Sequence, residues 1–127
     1  MIKNLLWVGI GGFLGSISRH YLGLLLAKLY PVLFPVGTFT INILGSFLIG
    51  LLYGLTEKHS PLAPIRLLLA TGFCGGFTTF SSFSAENFAF LEKGEWEIAT
   101  IYSMSSFTFG ILFVFLGIKL GKLFSII

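Results

Sequence analysis

Charge is what this sequence has least of. Only 10% of its 127 residues are Asp, Glu, Lys or Arg, where soluble domains carry about 25%. Mean hydropathy is +0.95. So few charged side chains cannot clothe a water-facing surface, and the chain belongs in a lipid bilayer. The eight Lys and Arg residues behind the formal charge of +3 are scattered. They form no cluster that could track a nucleic-acid backbone, so no nucleic-acid partner is expected. The single cysteine, Cys74, excludes an intrachain disulfide and a multi-cysteine metal site. There is no GxxxxGK(S/T) motif and no acidic cluster for magnesium, which leaves nothing to drive transport with a nucleotide.

Long apolar runs fill the space. A helix crossing a ~30 Å hydrocarbon layer needs about 20 mainly apolar residues, and four stretches qualify: 4–28, 34–55, 65–90 and 98–121. Turn and charge signals separate them: YPVLFP with Pro31 and Pro35, TEKHSPLAP with Pro61 and Pro64, and EKGEWE. The first run follows one lysine and meets no small-residue cleavage site, so it reads as a retained span and not a signal peptide. Residues 1–127 are expected to form a single four-helix membrane domain, all-α and multi-pass. With the N-terminus cytoplasmic, Lys3, Lys58, Arg66, Lys119 and Lys122 fall on that side. Lys28 and Lys93 fall on the other, joined by Arg19 if it lies near that end of the first span. The positive-inside rule favours this orientation weakly, and so shallow a bias allows insertion both ways round.

Small residues mark helix seams, because in lipid close backbone approach supplies the association. Gly11 and Gly15 form a GxxxG step, as do Gly117 and Gly121. In the second span Asn42, Ser46, Gly50 and Gly54 recur every fourth residue; in the fourth, Tyr102, Ser106 and Gly110 do the same. An amide in hydrocarbon is costly unless satisfied. Asn42 therefore either ties helices together or faces a wet path, and spacing leaves both open.

The stretch GFCGGFTTFSSFSAEN, residues 72–87, interrupts the third span. Gly72, Gly75 and Gly76 each weaken a helix by about 1 kcal/mol relative to alanine, which predicts a break near the midplane. Freed backbone groups at that depth survive only where protein, water or an ion satisfies them. A break also presents a carbonyl end that suits a cation and an amide end that suits an anion. Thr78, Thr79, Ser81, Ser82 and Ser84 crowd the same place with hydroxyls. Among them stand Phe77, Phe80, Phe83 and then Phe88, with Phe80 and Phe83 on one face. An aromatic ring is positive along its edge, so a ring edge beside donors is a candidate lining for a small anion.

Three motifs in order, GGFLGSISRHYLG, GTFTINILGSFLIG and GFCGGFTTFSSFS, resemble the small fluoride channels called Fluc or CrcB, over nearly the whole chain. The resemblance implies a passive fluoride channel of the cell inner (plasma) membrane, with four helices per subunit and an antiparallel, dual-topology homodimer. Two fluoride pathways would run through each dimer near the subunit interface. A structural sodium ion would sit on the two-fold axis, held by backbone carbonyls that position in the motif assigns to Gly75 and Thr78. The family's aromatic box falls on Phe80 and Phe83, its second-span amide on Asn42, and its fourth-span polar track on Tyr102 and Ser106. Gly110 stands where that track would carry a further hydroxyl. Arg19 matches the arginine ending the first-span motif, with a structural or anion-drawing vestibule role; Glu86 falls at a pore mouth or snorkels at the interface.

The chemistry expected of such a lining stands apart from the resemblance. Fluoride holds its water tightly, so a selective pore must replace that shell with Asn42, Thr79, Ser81 and neighbouring hydroxyls, Tyr102 and phenyl edges. A full positive charge in the path would hold the ion too firmly to release it. A small multidrug exporter needs an acid in its first span, and this first span has none. An intramembrane enzyme needs a nucleophile–base pair or a metal cluster. His20 and His59 lie near predicted span ends without ligand spacing, and a lone apolar thiol such as Cys74 is inert. A purely structural subunit leaves the hydroxyl-rich break and Asn42 unexplained.

Overall fold

The computed structural model describes residues 1–56 and 63–124. Most of the TEKHSPLAP connector, with Lys58, His59 and Pro61, lies outside the described residues. All described elements are helical. Helix α1 is Ile2–Leu29, α2 is Val36–Leu55 and α5 is Trp96–Phe124. Between α2 and α5 the third pass comes in two pieces. The first, α3 (residues 63–77), opens as Ala63–Arg66, widens to a π-helix over Leu67–Cys74 and closes as Gly75–Phe77. The second, α4, is Phe80–Glu92. These bounds agree with the expected spans to within three residues.

Local chemistry sets the ends. Pro35 immediately precedes α2, where a missing N–H is an orphan in any case. Gly94, with φ of +75°, turns the chain after α4: its N–H reaches Leu91 O at 3.1 Å, and Glu95 N–H reaches Phe90 O at 2.8 Å. That pair of bonds is the Schellman cap, and it returns the chain into α5 within three residues.

Helices α2 and α5 are each long and apolar enough to cross a membrane. At 28 residues α1 is about 42 Å long, and it is less apolar because Arg19 and His20 fall inside it. Large side chains such as Phe13, Ile17, Phe107 and Phe115 point outward and are more than half exposed, as lipid-facing groups are. The compact apolar cluster is small: Tyr102, Ala99 and Phe90, backed by Phe34, Phe39, Phe83 and Ile98. Arg66 lies over the Tyr53 ring at 4.8 Å, and Lys119 over Phe115 at 5.5 Å. Both cations therefore keep an aromatic partner at the same end of the bundle.

Two glycine seams hold the passes together. Along α1 and α3, a Cβ on Gly11 would lie 2.8 Å from Phe73 N, and one on Gly15 would lie 2.9 Å from Phe77 N. Along α2 and α5, a Cβ on Gly117 would lie 2.7 Å from Leu51 N, and one on Gly121 would lie 2.8 Å from Gly54 Cα. No real side chain sits that close, so the GxxxG steps are packing contacts, as the spacing suggests.

The break is not where the glycines predict. The helix runs unbroken through Gly72, Gly75 and Gly76 and opens at Thr78 (φ −82°, ψ 157°) and Thr79 (φ −148°, ψ 110°). Gly72 and Gly76 serve a different need: a Cβ on Gly72 would meet Val8 O at 2.8 Å, and one on Gly76 would overlap the Gly12 carbonyl. They lack side chains so that α3 can lie on α1. Helix propensity loses here to packing.

Replacing Gly15 by alanine forces α1 off α3 and should cost about 1–3 kcal/mol. Gly9→Ala, with nothing within 4 Å of the new Cβ, should be neutral or gain up to about 1 kcal/mol. Denaturant unfolding of the two variants in detergent checks the contrast.

Candidate functional site

A chain that leaves its helix at this depth must find new partners for its backbone, and a side chain from α2 supplies them. Asn42 Oδ1 accepts from Thr79 N–H at 2.8 Å, and Asn42 Nδ2 donates to Thr79 O at 3.1 Å. The amide thus pairs with both sides of one extended residue, as a neighbouring strand would. Of the two readings left open for Asn42, the tie between helices is realised. A primary amide has two N–H donors, and the second has no partner among the described residues.

Thr79 completes the break by capping α4. Its Oγ1 accepts from Ser82 N–H at 3.1 Å and donates to Ser82 Oγ at 3.0 Å, with Ser81 Oγ 3.2 Å away. Thr78 Oγ1 donates back to Cys74 O at 2.9 Å, and Gly45 on α2 leaves the space that the Thr78 methyl fills. These bonds redirect donors. In a continuous helix Thr79 N–H would go to Gly75 O and Ser82 N–H to Thr78 O. Both are diverted, to Asn42 and to Thr79 Oγ1, so the carbonyls of Gly75 and Thr78 lose their helical donors. Nothing lies within 4 Å of a Cβ placed on Gly75.

Helices α2 and α5 run parallel in constant register, one turn per step. A Cβ on Gly54 meets Ile118, one on Gly50 meets Val114 and one on Gly110 lies 3.8 Å from Ser46 Oγ. One step further, Thr38 and Tyr102 grip one carboxylate: Thr38 Oγ1 donates to Glu86 Oε1 at 2.6 Å, and Tyr102 O–H to Glu86 Oε2 at 2.7 Å. The rungs are thus Thr38 with Tyr102, Asn42 with Ser106, Ser46 with Gly110, and then the glycine seam. Ser106 Oγ is buried without a hydrogen-bond partner among the described residues. Beside the ladder, Ser103 Oγ donates to Asn87 Oδ1 at 2.9 Å, and Asn87 Nδ2 to Phe83 O at 3.0 Å.

Two cavities meet at the break. One, of about 530 Å³, is lined by Arg19, His20, Thr38, Thr79, Ser82 and Glu86 and opens beside the Pro31–Pro35 turn. The other, of about 330 Å³, is lined by Asn42, Ser46, Gly75, Thr78, Thr79 and Phe80. Thr79 lines both and divides them. Arg19 sits well inside α1, facing the first cavity beside His20; His20 is therefore not near a span end as expected, and Arg19 does not join Lys28 at that end. Glu86 does not snorkel to an interface, because two hydroxyls from α2 and α5 hold it against that cavity.

The two phenylalanines assigned to an aromatic box lie side by side. The Phe80 and Phe83 rings are 5.8 Å apart at 35°, and Phe83 leans on Tyr102 at 4.9 Å. Tyr102 is fully buried, with Phe34 edge-on at 5.4 Å, and its one proton goes to Glu86. Phe80 is 79% exposed. Thr38 was missed by sequence reasoning. Extending the Asn42–Ser46–Gly50–Gly54 stripe back one turn would have found it.

An interrupted pass, its break clasped by a neighbouring helix, with hydroxyl and amide donors beside it and Arg19 and Glu86 lining the adjoining cavity, fits a transmembrane protein of the ion-transport class. The family profile described as "CrcB-like protein, Camphor Resistance (CrcB)" matches residues 6–118. A protein of Gloeothece citriformis named "Fluoride-specific ion channel FluC" is 49% identical over 94% of this chain and 97% of its own length. Proteins of the same name from Azobacteroides pseudotrichonymphae, 41% identical over 98% and 100%, and Chlorobium chlorochromatii, 47% identical over 91% and 89%, align likewise. The chain belongs to this CrcB family, whose members are ion channels and not enzymes.

Asn42→Ala removes both bonds to Thr79 and should cost about 1–3 kcal/mol. It should also raise amide exchange at Thr79 and Ser82 while leaving α1 unchanged. Hydrogen exchange followed by mass spectrometry reads this directly.

Proposed function

We propose that this chain conducts fluoride passively and selectively across the membrane through the lane beside the break. One observation carries the reading: two donors, the second N–H of Asn42 and the buried hydroxyl of Ser106, have no partner among the described residues. A buried hydroxyl such as that of Ser106 is normally satisfied, and the part-buried Asn42 amide lines a cavity, so both suit an occupant that accepts hydrogen bonds. Fluoride is the strongest such acceptor among the halides. The relatives' name as fluoride-specific channels supports the same choice.

The steps follow from the geometry. Arg19 draws anions into the 530 Å³ vestibule, while Glu86, neutralising the far wall, keeps them from binding there too firmly. At the divide the ion exchanges water for the hydroxyls of Thr79 and Ser81, the free N–H of Asn42 and Ser106, with the edges of Phe80 and Phe83 excluding water. The chain's own groups supply dipoles and no full charge at this point, so entry and exit stay balanced. Chloride, larger and more weakly hydrogen-bonded, gains less from the same donors.

The working unit is taken as an antiparallel, dual-topology homodimer in the cell inner membrane, with two pores. The exposed Phe80 ring, which a single subunit leaves uncovered, and the shallow charge bias both support it. A structural sodium ion fits between two such subunits: the carbonyls of Gly75 and Thr78 have lost their helical donors, and the open space at Gly75 lets another chain approach. A bound sodium would supply positive charge to those carbonyls and join the two breaks.

Purified protein in liposomes should release fluoride down its gradient, with chloride release at the level of empty vesicles. A fluoride electrode makes the measurement, and absence of release from folded protein overturns the reading. Phe80→Ile should slow release by roughly fivefold, since each ring edge contributes about 1 kcal/mol, with the dimer intact. Replacing sodium by a large organic cation should lower dimer stability or flux; equal behaviour in both salts argues against the ion.

A further inference from the structure

On its fourth-pass face the ladder lacks a hydroxyl at Gly110, one turn beyond Ser106. Across from that gap lies Ser46. A Cβ built on Gly110 would stand 3.8 Å from Ser46 Oγ, so the two positions share one space. We infer that Ser46 is a fluoride-contacting residue: its hydroxyl, carried on α2, takes the place of the one missing from α5 at Gly110. This inference rests on the fluoride-conduction reading above and names a further contact for it.

Three observations place Ser46 on the ion's route. It lines the 330 Å³ cavity together with Asn42, Thr79 and Phe80. It follows Asn42 by one turn on the same helix face, so an ion leaving the Asn42 amide meets it next. Its register partner is a glycine, and a Cβ there would make just one contact, with Ser46 Oγ at 3.8 Å, so the rung has space beside the hydroxyl.

The hydroxyl is also free to act. Ser46 Oγ donates to Asn42 O at 2.8 Å, the backward bond that helical serines make to the preceding turn. That carbonyl lies inside α2, where the Ser46 N–H already serves it. Rotation of the hydroxyl can therefore turn its proton to an arriving anion and leave no buried carbonyl empty. When the ion moves on, the proton returns to Asn42 O. Such a donor stabilises the ion in passing and holds itself ready without one.

A plain packing role for Ser46 makes a different forecast. One turn further the same stripe becomes Gly50, whose Cβ would overlap Val114 O, and there small size alone matters. If size alone mattered at Ser46, alanine would serve as well as serine.

The test compares the parent protein, Ser46→Ala, Gly110→Ser and the double variant in liposomes, by initial fluoride release. Ser46→Ala should be slowed roughly tenfold, the loss of one hydrogen bond to a charged partner, with unfolding midpoint and dimer unchanged. The double variant, which moves the hydroxyl to the other helix, should recover to within about threefold of the parent. Parent-like release by Ser46→Ala overturns the inference. So does slow release by a folded double variant. Should the double variant not fold, Ser46→Thr decides: it keeps the hydroxyl, and release as slow as that of Ser46→Ala overturns the assignment. Failure of the parent to release fluoride instead removes the conduction reading, and this inference with it.

Discussion

A backbone that leaves its helix inside a bilayer has no water to turn to, and everything near Thr78 and Thr79 answers that constraint. Asn42 gives Thr79 a partner on each side, Thr79 caps the helix that resumes, and Thr78 closes the one that ends. An unsatisfied polar group in hydrocarbon costs several kcal/mol, so these bonds decide whether the break can exist. Their by-product is chemistry. Diverting two N–H groups frees two carbonyls, and tying one amide proton leaves another untied on a residue that lines a cavity.

The rest of the architecture makes that arrangement possible. Glycines bring α1 onto α3 and α2 onto α5 at backbone contact, and Gly45 lets α2 close on Thr78, within reach of Asn42. The parallel register of α2 and α5 then stacks polar rungs one turn apart, ending where the glycine seam begins. The carboxylate of Glu86 is the single acid drawn into this ladder, and it stays there because α2 and α5 each donate to it.

Much of this was legible from residue types. Apolar run lengths located the four passes, and the GxxxG steps identified both seams. The cluster of hydroxyls and Asn42 pointed to residues that do gather at the break. What sequence misplaced was the break itself. Glycine weakens a helix in isolation, yet Gly72 and Gly76 face α1, where absence of a side chain strengthens packing. The residues that open the chain, Thr78 and Thr79, are ordinary on a propensity scale. They open because Asn42, far away in sequence, competes for the Thr79 N–H, and a pairing across 37 positions leaves no local signal. His20 was misplaced for a related reason: a polar ring in an apolar run suggests a span end until a cavity is known to reach it.

The central claim is that the untied N–H of Asn42 meets the ion. Solid-state NMR on membranes loaded with fluoride can detect dipolar coupling from ¹⁹F to side-chain ¹⁵N of asparagine, of which the chain has Asn4, Asn42 and Asn87. Coupling at Asn42 that vanishes when fluoride is washed out is the expected result. Coupling at Asn87 or Asn4 alone, with none at Asn42, would contradict it.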